Sequence, residues 1–72
     1  MLIYQVFNRY IGVRRERSRW LVYRVDLNER KSSRLSDVII PDELTEAELP
    51  GWLGDLFHES ASENYPDVRR IE

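Results

Sequence analysis

The stretch RRERSRW, residues 14–20, holds four arginines and one tryptophan within seven positions. Guanidinium groups bind phosphates and carboxylates through paired hydrogen bonds, and they also stack on an indole ring. The stretch therefore favours either a surface that binds an anionic partner or the solvent-exposed tip of a hairpin. The rest of the chain decides between these two interpretations.

Residues suited to catalysis or metal binding are scarce. His58 is the sole histidine and the chain has no cysteine, whereas zinc sites use several ligands of these two types. Helical periodicity places His58 about 180° from Leu49, on the expected solvent side, with Asp55 and Glu59 as solvated carboxylates on the same helix. The three glycines are scattered and form no phosphate-binding loop. We therefore expect no enzyme, no metal, no cofactor and no small-molecule substrate.

Charge is divided unevenly along the chain. Residues 1–34 hold nine Arg or Lys against three acids, whereas residues 35–72 hold ten acids against two arginines. The simplest interpretation is that the basic half folds against the acidic half and the two fields largely cancel. Two alternatives stay open: a basic face that binds an anionic partner, and an acidic half, residues 37–63, that binds a basic partner.

The chain length of 72 residues predicts one small domain of marginal stability. Without disulfides or a metal, association with another chain is the remaining aid to stability. The N-terminal MLIYQVFNRY lacks the pattern of a signal peptide, and no apolar stretch approaches the ~20 residues that span a bilayer. We expect a cytoplasmic protein without a membrane segment.

Alternating apolar residues predict strands in the first third of the chain, with a two-residue turn at Asn8-Arg9, because Asn tolerates a positive φ. The polar residues 27–36 predict a loop, and Pro41 ends a last short strand. The predicted strands are 2–7, 10–15, 19–26 and 37–40.

The predicted register gives the sheet one apolar face, which carries Leu2, Tyr4, Val6, Ile11 and Val13. The second loop decides which side of the third strand joins that face, because a one-residue slip moves every side chain to the other side. A three-residue loop adds Leu21 and Tyr23 to the apolar face and is the preferred alternative. A loop with an even number of residues adds Trp20, Val22 and Arg24 instead.

A C-terminal amphipathic helix is predicted over residues 46–62. Thr45 and Glu48 fit a capping box, but Pro50-Gly51 interrupts the pattern, so the helix has either a distorted first turn or a regular start near Pro50. Beyond it, Val68 and Ile71 suggest a short extended segment. The apolar helix positions are Leu49, Trp52, Leu53, Leu56, Phe57 and Ala61.

Together these elements predict an α+β fold: a three- to four-stranded antiparallel β-meander with the helix packed on one face. The runs DVIIP, LTEAEL and LGDLFHES after the meander resemble a family of short uncharacterised bacterial proteins. That resemblance implies the same fold and no assigned activity. Pro50-Gly51 departs from the unbroken helix of that pattern.

The face away from the helix is the predicted binding surface. Aromatic side chains and arginines concentrate at the energetic centres of protein interfaces, and an exposed apolar patch on a sheet is typical of an interface. We therefore expect a protein-interaction module, as a homodimer or with another protein. Single-stranded nucleic-acid binding through the same Arg and aromatic side chains is the alternative. The predicted interface residues are Phe7, Tyr10, Arg14, Trp20, Val22 and Arg24.

Overall fold

The fold is α+β, as expected, and its described part contains an antiparallel sheet and one short helix. The computed structural model describes residues 1–58 and 67–72. Within them the sheet has five strands in the order β4-β3-β2-β1-β5. The strands are β1 (Leu2–Val6), β2 (Arg9–Glu16), β3 (Arg19–Asp26), β4 (Lys31–Arg34) and β5 (Val68–Arg70), and a 3₁₀ turn (Glu46–Glu48) leads into helix α1 (Leu49–Leu56).

The first hairpin turns at Phe7-Asn8, so the prediction of Asn8-Arg9 was wrong. Val6 pairs with Arg9, and Phe7 takes a φ of 58°. A left-handed conformation costs a non-glycine residue about 1–2 kcal/mol, whereas burying a Phe side chain contributes about 1.5–3 kcal/mol. Burial of the Phe7 ring, which is only 7% exposed, outweighs the backbone cost.

This change of turn leaves the predicted apolar face of β1 and β2 intact. The register moves by two residues relative to the prediction, and a shift of two returns each side chain to the same side of the sheet. Tyr4, Val6, Ile11 and Val13 are all buried. We call the side of the sheet that carries them the core face, and the opposite side the outer face.

The second hairpin contradicts the preferred three-residue loop. Val13 pairs with Val22 across a two-residue turn, Arg17-Ser18, whose φ angles are 50° and 65°. Two consecutive positive φ values are those of a type I′ turn, whose twist matches the twist of the flanking strands. The turn places Trp20, Val22 and Arg24 on the core side, and it places Leu21 and Tyr23 on the outer face.

The fourth strand also differs from the prediction. Residues 37–40 are not a strand, and β4 lies instead within the predicted loop 27–36, where it pairs with β3. All four residues of β4 are polar and exposed. Its sequence KSSR therefore lacks the alternation of apolar and polar residues by which a strand is predicted. Asp26 helps to close this hairpin, because its carboxylate accepts hydrogen bonds from the backbone N–H groups of Asn28 and Glu29.

The C-terminal segment forms the other edge of the sheet. Val68 pairs with Val6 and Arg69 with Gln5, and the Ile71 N–H donates a hydrogen bond of 2.9 Å to the Ile3 carbonyl. The extended segment suggested by Val68 and Ile71 is therefore a strand of the main sheet.

The start of the helix combines the two alternatives that Pro50 left open. Thr45 caps the 3₁₀ turn, and α1 follows with Pro50 in its first turn, where a missing N–H breaks no helical hydrogen bond. The predicted helix ran to residue 62, but α1 ends at Leu56, and residues 59–62 lie outside the described residues.

The core joins side chains of three strands to two later segments of the chain. Its buried apolar residues are Tyr4, Val6, Phe7, Ile11, Val13, Val22, Ile40, Leu49 and Leu53. Leu56, one of the apolar positions of the predicted helix, is 44% exposed and lies outside this core.

The capping box makes stability depend on pH. The Glu48 carboxylate accepts hydrogen bonds of 2.9 Å from both the N–H and the hydroxyl of Thr45, and these bonds lower the pKa of Glu48. A lowered pKa stabilises the fold above the ordinary pKa, and this contribution is lost as the pH falls through the folded-state pKa. We expect Glu48→Ala to lower the urea midpoint at neutral pH, and the difference from the unsubstituted protein to shrink in acid.

The control for this prediction is Glu43→Ala, which removes a nearby carboxylate outside the capping box. Urea titrations of the three proteins from neutral to acidic pH would measure the effect. A Glu48→Ala difference that stays constant with pH, or equals that of Glu43→Ala, would contradict the assigned role of Glu48.

Candidate binding surface on the outer face

The outer face follows directly from the register of the four strand pairs. Side chains alternate along a strand, so every residue paired with an outer-face residue also lies on that face. The set combines apolar, aromatic and arginine side chains. Its members are Ile3, Gln5, Tyr10, Gly12, Arg14, Glu16, Arg19, Leu21, Tyr23, Val25, Ser32, Arg34 and Arg69.

Two cross-strand rows organise the centre of this face. One row runs Arg34, Tyr23, Gly12, Ile3 from β4 to β1. The other runs Ser32, Val25, Tyr10, Gln5, Arg69 from β4 to β5. Each row therefore has an apolar or aromatic centre and an arginine on an edge strand, which is the pattern of an apolar centre with a polar rim found in protein interfaces.

Gly12 creates a depression in the first row. A Cβ atom there would overlap the Met1 thioether and would lie 2.9 Å from Cγ2 of Val25. The absence of a side chain at Gly12 thus lets Met1 lie against the outer face. A groove of 540 Å³ lies alongside, and its apolar lining residues are Met1, Ile3, Val25 and Leu27.

The edges of the sheet are less suited to binding another strand. Strand β4 has four residues, including Lys31 and Arg34, and β5 has three, including Arg69 and Arg70. Short, charged edge strands disfavour pairing with another chain. Both edges of the sheet are therefore protected against pairing with another strand.

The arginine cluster of residues 14–20 divides between the two sides of the sheet. Arg14 lies on the outer face, where it forms an ion pair of 2.6 Å with Glu16 and its guanidinium lies 6.0 Å from the centre of the Tyr23 ring. Arg15 lies on the core side, 4.5 Å from the Trp20 ring. Arg15 stacks on Trp20 because the two-residue turn places these two residues opposite each other.

The core-side members of the cluster fasten the sheet to the segment before the helix. The Trp20 indole N–H donates a hydrogen bond of 2.9 Å to the Leu44 carbonyl. Arg15 donates one of 2.7 Å to the Asp42 carbonyl. Arg15 and Trp20 of the RRERSRW stretch therefore make contacts within the fold.

Only two of the six predicted interface residues lie on the outer face, namely Tyr10 and Arg14. Phe7 and Val22 are buried in the core, and Trp20 packs against it, so placing these three on the outer face was wrong. Arg24 is exposed but lies on the core side of β3. The prediction omitted Leu21, Tyr23 and Val25, which the even-numbered loop, the alternative that was not preferred, places on the outer face.

The described residues contain no cluster of potential metal ligands. Among them, no three His, Cys, Asp or Glu side chains lie close enough together to hold a metal ion. His58 is exposed just beyond the end of α1, with Nδ1 3.0 Å from the carbonyl oxygen of Asp55, three residues earlier. Burial of Tyr4 raises the pKa of its hydroxyl above the ordinary value, and the positive charge of nearby Arg70 partly offsets this rise.

No helix of the described chain is both long and apolar enough to cross a membrane.

The segment from Leu35 to His58, which includes α1, is strongly acidic. It contains six Asp or Glu residues and no Lys or Arg, and all six are exposed. One of them, Glu46, forms an ion pair of 3.0 Å with Arg70 of β5. We call this segment the acidic layer. Its acids are Asp37, Asp42, Glu43, Glu46, Glu48 and Asp55.

Comparison with known proteins places the chain in a family. The family model described as "Domain of unknown function (DUF7661)" matches residues 1–72, so the chain belongs to that family. No curated protein and no solved structure matches the chain. The resemblance drawn from DVIIP, LTEAEL and LGDLFHES, to a family without an assigned activity, is confirmed.

Proposed function

Because the family has no assigned activity, we propose a function from the surface itself: the protein is a small, non-enzymatic protein-interaction module that self-associates through its outer face. In this proposal α1 and the segment before it close the core face of the sheet. The outer face is left to contact another molecule. Association would also supply the stability that a domain of this size gains with difficulty from its own core.

The observation that carries the proposal is the composition of the outer face. A sheet face that meets only water is expected to be polar. Here Ile3, Leu21 and Val25 surround two tyrosines, Tyr10 and Tyr23, and all five are only partly buried. Contiguous apolar surface of this kind is typical of an interaction site.

A second candidate, single-stranded nucleic-acid binding, is favoured by one specific observation. Tyr10 and Tyr23 lie on neighbouring strands, with Arg14, Arg34 and Arg69 on the same face. Aromatic rings stack on bases and arginines bind phosphates on such sheets. The aliphatic side chains in the centre of the face favour a protein surface over bases, so this function ranks second.

The proposal is tested with the substitution Tyr23→Glu. We expect the mass of the unsubstituted protein in solution to rise above the monomer value of 8.7 kDa as its concentration increases. A carboxylate in the apolar centre should hold the variant at the monomer mass, because the substitution removes an aromatic contact surface and adds a charge that must lose its hydration on association. Light scattering from micromolar to millimolar concentration would measure both proteins.

The matched control is Asn8→Glu, which adds a carboxylate in an exposed turn outside the outer face. It should associate as the unsubstituted protein does, and circular dichroism should show all three proteins folded. A protein that stays monomeric at every concentration would contradict the proposal. Tight binding of a labelled single-stranded oligonucleotide that weakens steeply with salt would favour the second candidate.

A further inference from the structure

We infer that the self-association is head to tail: the acidic layer of one copy docks on the outer face of the next. This inference rests on the proposed function, and it specifies which surface of the second copy the outer face contacts. It differs from a symmetric dimer, in which two outer faces would meet.

The charges of the two surfaces carry the inference. The outer face holds four arginines, Arg14, Arg19, Arg34 and Arg69, against one acid, Glu16. The acidic layer holds six acids and no base. Two outer faces brought together would set arginines against arginines, whereas an acidic layer would set carboxylates against them. Complementary charge selects the orientation of association and suppresses the alternative.

The acidic layer also offers apolar side chains of its own. Ile39 is 78% exposed, more than any other large apolar residue among those described, and Leu56 is 44% exposed. Ile40, the next residue after Ile39, is 2% exposed and belongs to the core, so the two neighbours differ sharply in burial. Ile39 and Leu56 are suited to the apolar centre around Tyr23, and the carboxylates are suited to the arginines at its rim.

The size of the outer face sets the strength and the form of this association. Five strands spaced about 4.8 Å apart, of which the longest have eight residues at about 3.4 Å per residue, give a face of at most about 19 by 27 Å, or roughly 500 Å² per copy. Contact over such a face buries less than about 1,200 Å² in total, which is the range of weak, transient interfaces. Because the two contacting surfaces differ, an open assembly always has an unoccupied outer face at one end and an unoccupied acidic layer at the other. Further copies can therefore add to a dimer unless the assembly closes into a ring.

The test uses two variants, each of which disables one surface. Tyr23→Glu disables the outer face and keeps the acidic layer. Ile39→Lys removes the exposed apolar side chain of the acidic layer, adds a positive charge and keeps the outer face. We expect each variant alone to remain monomeric and an equimolar mixture to form a 1:1 heterodimer of twice the monomer mass, measured by sedimentation velocity at low salt.

Arg34→Glu provides a second outer-face variant, because its side chain is exposed on the edge strand and its replacement leaves the apolar packing unchanged. It should behave as Tyr23→Glu does, alone and in the mixture. Asn8→Glu again serves as the control. Raising the salt concentration should weaken the association of the unsubstituted protein, since salt screens the attraction between the two surfaces.

The outcomes separate the inference from the proposed function. If Ile39→Lys associates as the unsubstituted protein does while Tyr23→Glu does not, two outer faces meet; the inference then falls and the proposed function stands. Association that strengthens with salt leads to the same conclusion, because salt would be screening repulsion between arginines. If Tyr23→Glu and Arg34→Glu associate normally, or the unsubstituted protein never associates, both fall.

Discussion

Leu53→Ala is expected to lower the free energy of unfolding by about 2–5 kcal/mol, because truncating a buried leucine removes apolar contacts and leaves a cavity. Leu53 has no exposed surface and belongs to the core cluster, together with Leu49 one turn earlier on α1. A domain of this length has a total stability of about 4–11 kcal/mol. The substitution therefore removes a large share of it, and urea or thermal unfolding would measure the loss.

The control lies three residues further along the chain. Leu56→Ala makes the same chemical change at a side chain that is 44% exposed, so its effect should be within about 1 kcal/mol, as for most substitutions outside the core. Equal losses for the two variants would contradict the orientation of α1. A Leu53→Ala protein as stable as its parent would contradict the packing of the helix altogether.

Trp20→Ala is expected to cost about 3–5 kcal/mol, the range for removing a large aromatic side chain from a packed site. The substitution removes three interactions at once: contact with the core cluster, the 2.9 Å hydrogen bond to the Leu44 carbonyl and the stacking of Arg15 on the indole ring. Trp20→Phe separates the hydrogen bond from the rest and should cost about 1 kcal/mol for that bond, together with a smaller packing loss.

Leu21→Ala is the matched control, because Leu21 is the next residue of the same strand and lies on the outer face. In the monomer it should cost about 1 kcal/mol, as for a typical substitution of moderate effect. The comparison tests the register of the second hairpin directly. If Leu21→Ala were the more destabilising change, side chains of β3 would point the opposite way and the two-residue turn would be wrong.

Several features of the fold could be predicted because their determinants are close together in the sequence. The alternation of Tyr4 with Val6 and of Ile11 with Val13 identified the apolar face of the first hairpin, and that face survived an error of two residues in the register. The capping box of Thr45 and Glu48 was identified from residues three apart. The α+β class followed from these strands and the apolar periodicity after Leu49.

The edge strands could not be predicted with the same rules. Strand β4 is fully exposed and carries KSSR, so no apolar pattern distinguishes it from a loop; its backbone hydrogen bonds to β3 make it a strand. Residues 37–40 show the opposite case, because apolar side chains suggested a strand where the chain instead places Ile40 in the core without pairing. Side-chain burial and backbone pairing in a sheet are independent of each other, and the pattern of apolar residues in the sequence indicates burial more directly than pairing.

The candidate site depended on one choice that local patterns left balanced. Strand β3 carries apolar residues on both sides, Trp20 and Val22 on one and Leu21 and Tyr23 on the other, so its alternation did not decide its orientation. By itself, the sequence determined that an antiparallel sheet with one apolar face is followed by an acidic, helical segment. Only the tertiary structure decided which side of β3 faces the core, and therefore which residues form the outer face. The physical reason is that the contacts that orient β3 are distant in the sequence: the hydrogen bond from Trp20 to Leu44 joins residues 24 positions apart.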